Sequence, residues 1–205
     1  MFCSIDEAIE TLKNGNMICL ADNENVENEI DFCMAAEFIT PEKIYTMATL
    51  GCGLICTPMS KEYAEKLNLW YMVQKNEDHR LTNFTVSFDG KWCSTGISAK
   101  ERAETILKAC DDNASGDDFT RPGHCFGLIA KDGGILERHG HTEASVELCK
   151  LAGLKPIAVI CEILLDKDKM LTVKDFKKWN EDKGFKLCHI DDLKKYIIDL
   201  ENIPF

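Results

Sequence analysis

Residues 121–165 read RPGHCFGLIAKDGGILERHGHTEASVELCKLAGLKPIAVICEILL, and the change of pattern along them decides the fold class. Phe126–Ala130 and Ile157–Leu164 are short apolar runs of strand character, and Thr142–Ala152 between them repeats apolar residues at helical spacing and stops at Gly153. Strand, helix and strand in that order require helices layered on a sheet. The flanking sequence continues the theme. Ser4-Ile5-Asp6-Glu7 has capping-box form and opens a helix that stops at Gly15, Met17–Ala21 and Phe32–Ala36 read as strands, and Thr40-Pro41 starts a helix closed by Gly51. A strand is expected at Leu54–Thr57, a helix from Ser60 to Leu67, an alternating strand at Phe84–Phe88, and a second capping box at Ser98–Glu101 starting a helix to Ala109. Acidic residues from Asp111 to Asp118, followed by Pro122, mark a solvated loop. A helix from Thr172 to Gly184, a strand near Leu187 and a helix from Asp191 complete the reading. The expectation is an α+β fold: a single layered domain over residues 1–205, with a mixed β-sheet flanked by helices and no internal repeat.

The 205 residues are enough to bury a core without disulfides or a structural metal. Lys and Arg number 24 against 35 Asp and Glu, a formal charge of −11 that repels phosphate backbones and anionic membranes. Neither nucleic acid nor a membrane is an expected partner, and no apolar run approaches the roughly 18 residues of a spanning helix. The eleven cysteines are odd in number, scattered and without a CxxC pair, so they read as reduced thiols of a cytoplasmic protein. The N-terminus lacks a basic region followed by an apolar stretch, so no secretory signal is expected.

Four clusters can carry chemistry. Asp22–Asp31 holds five carboxylates and no Lys or Arg, which suits a divalent cation and equally a solvated loop. Glu137-Arg-His-Gly-His-Thr-Glu143 runs an arginine and a glycine into a helix N-terminus, a cradle for phosphate, with His141 a possible ligand, Thr142 a possible N-cap and His139 a solvated turn residue. Arg121-Pro-Gly-His124 is a turn that sets an imidazole just before a strand, as an acid or base or as a structural histidine. Glu162 sits in an apolar strand and should be paired, ligated or turned outward at the strand end. Ser94–Ser98 offers hydroxyls and a glycine for a sugar, a phosphate or a cap. His79 and His189 read as structural or exposed.

In order, Glu-Asn-Glu-Ile-Asp at 27–31, Ser-Thr-Gly-Ile-Ser-Ala at 94–99, Arg-Pro-Gly-His at 121–124, Gly-His-Thr-Glu-Ala at 140–144, Leu-Ala-Gly-Leu-Lys-Pro at 151–156 and Cys-Glu at 161–162 resemble the 3,4-dihydroxy-2-butanone 4-phosphate synthase family of riboflavin biosynthesis. The resemblance spans nearly the whole chain. It implies a homodimeric α+β lyase that converts D-ribulose 5-phosphate into formate and 3,4-dihydroxy-2-butanone 4-phosphate with two Mg2+ (or Mn2+) ions per active site. It implies metal binding by Glu27, Glu29, Asp22 and His141, and catalysis by His124, Glu162 and Asp31. Substrate contacts would come from Glu27, Asp31, Thr95, Arg138, His139, Gly140, Thr142 and Glu162. Against the family loop Asp-Arg-Glu-Asn-Glu-Gly-Asp, this chain has Val26 for the arginine and Ile30 for the glycine, and it has Leu81 for a glycine before Thr82. Ile30 would strain a left-handed backbone if the loop needs one there, and Lys75 or Arg80 could replace the missing guanidinium. Alternatives are a family member that acts on another sugar phosphate and a catalytically silent binding or regulatory paralogue.

Overall fold

The computed structural model describes residues 2–23 and 28–202. The first half of the chain forms α1 (Ile5–Lys13), β1 (Ile18–Ala21), β2 (Ile30–Ala35), α2 (Pro41–Thr46), β3 (Cys56–Met59), α3 (Lys61–Lys66), β4 (Phe88–Gly90) and α4 (Ala99–Ala109). There follow β5 (Phe119–Ile129), α5 (Gly134–Glu137), α6 (His141–Leu151), β6 (Ala158–Glu162), β7 (Leu164–Asp166), β8 (Lys169–Met170), α7 (Val173–Trp179), β9 (Leu187–His189) and α8 (Ile190–Glu201). Among the described residues, seven strands make one mixed sheet in the order β4-β5-β3-β6-β2-β1-β9, and β7 with β8 forms a separate ribbon. β1 runs parallel to β9 and β3 to β5, while the other neighbouring pairs are antiparallel. The sheet is mixed and flanked by helices, as the sequence implied.

Local chemistry sets the helix starts. Ser4 and Glu7 complete the capping box of α1, Thr40 caps α2 with Pro41 at its first position, and Ser60 and Ser98 cap α3 and α4. All six residues of β2 are buried, because helices cover both faces of the sheet. Ala35 and Ala158 pack on Cys149 of α6, whereas Phe32, on the opposite face, meets Trp179 of α7 and Phe185. Ile30 is fully buried in β2 opposite Ala21 and has an ordinary extended backbone, so the glycine-to-isoleucine change costs no strain there. The left-handed residue is Asn28, two positions earlier, at φ 57°.

Four readings need correction. The strand expected at Phe126–Ala130 begins at Phe119, so Pro122 and His124 lie within β5 and not in a loop before it. β3 pairs only with the stretch from Phe126 onward, so the missing N–H of Pro122 faces no β3 partner. The strand expected from Leu54 begins at Cys56, because the N–H of Leu54 donates to Oε2 of Glu162 at 2.8 Å. Of Phe84–Phe88 only Phe88 joins a strand, since Thr85 N–H donates to Gly127 and Val86 N–H to Trp70, so neither side builds a ladder. α6 is capped by Gly140, and Thr142 lies inside the helix.

Candidate active site

Strand register draws remote residues into one transverse row. Asp31 stands opposite Leu20 on β1 and opposite Glu162 on β6. Cys56 pairs with both Ile160 and Phe126, so two residues back Leu54 is level with Glu162 on one side and His124 on the other. His124 is thus three strand spacings from Asp31, about 14 Å between backbones.

The N-terminus of α6 ends over this row. His141, its first residue, lies with Nε2 3.1 Å from the carbonyl oxygen of Leu20 and 3.9 Å from Oδ1 of Asp31. Glu29, Asp31 and His141 each offer one ligand atom within 4.8 Å of the others, and Asp31 and His141 are buried. Two carboxylate oxygens and an imidazole nitrogen suit Mg2+ or Mn2+, so the residues present fit a divalent cation, one of the two readings open for the acidic loop. Asp22 is buried outside this triangle and closes the neck of the loop, its Oδ1 accepting from the N–H of Glu29 at 2.9 Å. Glu27, expected as a ligand, and Val26 lie outside the described residues.

Arg138 is held by the protein. Its Nη1 donates to Glu143 at 2.5 Å, its Nη2 to Thr82 Oγ1 at 2.9 Å and its Nε to the carbonyl of Arg80 at 2.9 Å. Glu143 is 1% exposed and also accepts the N–H of Lys131. Gly140 makes this arrangement possible, because a Cβ there would lie 2.6 Å from Nη1 of Arg138. It brings no capping side chain, so the positive helix end with His141 and Thr142 is backed by an arginine fixed in place. His139 turns elsewhere, its Nε2 3.0 Å from Oδ1 of Asp191, and burial lowers its pKa. Leu81 keeps a left-handed backbone, φ 55°, in the loop that supplies Arg80 and Thr82. Of the two proposed replacement cations, Lys75 is 2.7 Å from Glu77, and Arg80 lies in the Arg138 loop, its carbonyl accepting from Nε of Arg138. A cleft of about 460 Å3 beside Thr82 is lined by Tyr71, Lys75, Asp78 and Phe84, among others, and by none of Asp31, His141 and Glu162.

At the far end of the row His124 is fixed by Asp89, which accepts its backbone N–H at 2.8 Å and contacts Nδ1 at 2.7 Å. An ionised carboxylate only accepts, so Nδ1 carries the proton and Nε2 is left as the basic nitrogen. Glycines at 96 and 123 leave room for Asp89, since a Cβ at either would fall within 3 Å of it. The Ser94–Ser98 loop, read as a possible ligand loop, closes on Glu101. That carboxylate accepts from Ser94 N–H, Ser94 Oγ, Gly96 N–H and Ser98 Oγ, with Thr95 Oγ1 at 3.4 Å. Its reach back to the loop replaces the second half of the expected capping box.

Sequence reasoning gave no role to Asp89, Glu143 and Asp191. Asp191 accepts from Asn23 Nδ2 at 3.0 Å as well as contacting His139, so it joins the base of the acidic loop to the turn before α6. His189, read as structural or exposed, is structural: it caps α8 by accepting the N–H of Asp191. The signal for Asp89 was an Asp-Gly pair closing the alternating run at Phe84–Phe88; Asp191 resembled any first-turn carboxylate.

The family described as 3,4-dihydroxy-2-butanone 4-phosphate synthase matches residues 6–196. The chain is 50% identical over 196 residues to "Riboflavin biosynthesis protein RibBA" of Bacillus mycoides (strain KBAB4), covering 96% of this chain and 49% of that protein. The protein of the same name from Bacillus cytotoxicus is 48% identical over 196 residues, with the same coverage. The chain thus spans about half the length of the curated relatives it matches. Among solved structures, a 3,4-dihydroxy-2-butanone 4-phosphate synthase in complex with two magnesium ions superposes with a TM-score of 0.92 at 38% identity, covering 98% of this chain and 99% of that one. RibBX, a two-domain 3,4-dihydroxy-2-butanone 4-phosphate synthase from A. baumannii, gives 0.91 at 39% identity, covering 95% of this chain and 57% of that one.

Proposed function

Because this chain belongs to the 3,4-dihydroxy-2-butanone 4-phosphate synthase family, we propose that it is a cation-dependent carbon–carbon lyase. In this reading it converts D-ribulose 5-phosphate to formate and 3,4-dihydroxy-2-butanone 4-phosphate, a step of riboflavin biosynthesis. The observation that carries the reading is the convergence of Glu29, Asp31 and His141 beside Glu162, on the row that ends at His124. Glu29, Asp31 and His141, with Glu27 and Asp22 from the same loop, would hold two Mg2+ or Mn2+ ions per site. When bound, such ions polarise the carbonyl and hydroxyl oxygens of a sugar.

The chain's own groups would do the rest. His124 takes or returns a proton at Nε2, kept in that tautomer by Asp89. Glu162 is a second proton carrier, aimed by its hydrogen bond from Leu54 N–H, with Asp31 beside it. The N–H groups at the start of α6, with Gly140, Thr142 and the clamped Arg138, would seat the phosphate, whereas His139 is turned to Asp191 and Thr95 stands at the His124 end of the row, next to Gly96 where it packs on Asp89. A homodimer follows in this reading because Trp70, Tyr71, Met72 and Val73 form an exposed apolar run that a second copy would cover. Location in the cytoplasm accords with the unpaired cysteines; among the described residues no helix is long and apolar enough to cross a membrane.

The test is formate release from ribulose 5-phosphate. Mg2+-dependent formate, abolished by a chelator and restored by excess Mg2+, is expected, and Val26→Arg should raise turnover at least about tenfold by restoring a cation at the substrate. No formate above the chelated control, at high enzyme concentration and in both proteins, would overturn the reading. Val26 favours a second one, in which the chain acts on another sugar phosphate. In that case formate is absent while a different pentose or tetrose phosphate is turned over.

A further inference from the structure

The N-terminal segment adds to the outer edge of the sheet. Phe2 forms a parallel bridge with Leu187, the N–H of Cys3 donates to the carbonyl of Leu187 at 2.8 Å, and the Phe2 ring lies edge-on against His189 with centroids 5.1 Å apart. One residue further along, Cys3 is level with Cys188 of β9. Level residues on parallel strands share a face and have Cα atoms about 5 Å apart, inside the 4.4–6.8 Å range of a disulfide. Cys3 is partly exposed and Cys188 is buried. We propose that Cys3 and Cys188 are a thiol–disulfide modification site, which closes by exchange with a small-molecule disulfide such as oxidised glutathione and ties the N-terminal segment to β9.

The environment divides the two roles. The neighbouring Cys188 thiol, with help from Lys186, lowers the pKa of Cys3 against the raising effects of burial and Glu7. Burial instead pushes core thiols such as Cys33, Cys125 and Cys149 upward. Cys188 is itself raised, first by Cys3 beside it and then by burial. Cys3 is therefore the attacking thiolate. Its sulfur attacks one sulfur of glutathione disulfide, breaks that S–S bond and releases one glutathione thiolate. With the charge on Cys3 gone, Cys188 loses its proton to solvent more easily, attacks the Cys3 sulfur and expels the second glutathione. Two protein thiols are oxidised and one glutathione disulfide is reduced to two thiols. Cys188 is level with Leu20, the residue opposite Asp31, so the bridge would fasten the strand edge next to the cation cluster.

The test equilibrates the reduced chain with reduced and oxidised glutathione, blocks residual thiols with an alkylating agent and analyses the unreduced digest by mass spectrometry. A peptide pair linked through Cys3 and Cys188 is expected as the main oxidised product. In Cys3→Ser, Cys188 should remain a free thiol, and in Cys188→Ser, Cys3 should accumulate as its glutathione adduct. The unsubstituted chain decides the matter even if a variant folds poorly. Two free thiols at oxidant levels that modify the exposed Cys52, or a stable glutathione adduct on Cys3 beside a free Cys188, would overturn the proposal.

Discussion

The loop that ends at Asp31 and the loop that ends at Glu101 each bring a carboxylate to the start of a regular element, β2 in one case and α4 in the other. Around Glu101 the protein supplies the counterparts itself: two backbone N–H groups and two serine hydroxyls hold its pKa down to about 2, the N–H and hydroxyl of Ser94 being the chief causes. Around Asp31 the convergence is of ligand-type groups, Glu29 and His141, with Glu162 opposite in register. The lesson is that carboxylate density alone does not mark a cation site. A carboxylate whose oxygens accept from its own loop is structural, and one that converges with a second carboxylate and an imidazole calls for something from outside.

Asp31→Asn is the change that breaks this contrast most directly, because it keeps the shape and removes one anionic ligand. We expect Mn2+ affinity, measured by titration calorimetry, to fall at least about 100-fold and formate release roughly 1,000-fold, or about 4 kcal/mol. Equal losses in Glu101→Gln would erase the distinction between the loops.

Asp89 is an intermediate case, a buried carboxylate satisfied by one histidine. In Asp89→Asn the amide oxygen can still accept from His124 N–H, but its NH2 then faces Nδ1 and pushes the ring proton to Nε2. The wrong nitrogen is protonated for a base. A drop of about 100-fold in kcat with unchanged Mn2+ affinity is expected; a loss of cation binding would instead tie Asp89 to the Asp31 cluster.

Among the described residues, Asp191 reaches the cation site through others, by holding Asn23 and His139. Asp191→Asn should weaken Mn2+ binding by only about threefold to tenfold, with little change in kcat once Mn2+ saturates. A kcat defect that persists at saturating Mn2+ would give Asp191 a larger part than positioning the two loops.

How far these sites could be read from sequence follows from the range of the interactions. Helix starts at Ser4, Thr40, Ser60 and Ser98 were legible because a cap is a contact over three residues. The acidic loop and His141 were legible as ligand types. Their meeting was legible only through the family resemblance and not from residue spacing, since it depends on β2 pairing with β1 and β6 in one particular register. Asp89 and His124 are 35 positions apart and met across a pairing that the sequence hid, because Pro122 made the start of β5 look like a turn. Glu101 was visible as half of a capping box, but its turn toward Ser94 and Gly96 depends on a loop shape that residue spacing does not encode.

Glu101→Gln should have the smallest effect on activity, within about twofold, and its signature lies in acid stability. The folded pKa of Glu101, about 2, is below its ordinary value of 4.5. A carboxylate shifted in that direction adds stability above the unfolded pKa, and the addition is lost as pH falls from 4.5 toward about 2. The native chain should therefore lose thermal stability across that window, and Glu101→Gln, which has no proton to take up there, should lose less. Melting temperatures at pH 6, 4 and 2.5 for both proteins decide it. Parallel curves would mean that the Ser94–Ser98 donors serve Gln as well as Glu, leaving the 94–101 loop as indifferent to charge as the Asp31 cluster is dependent on it.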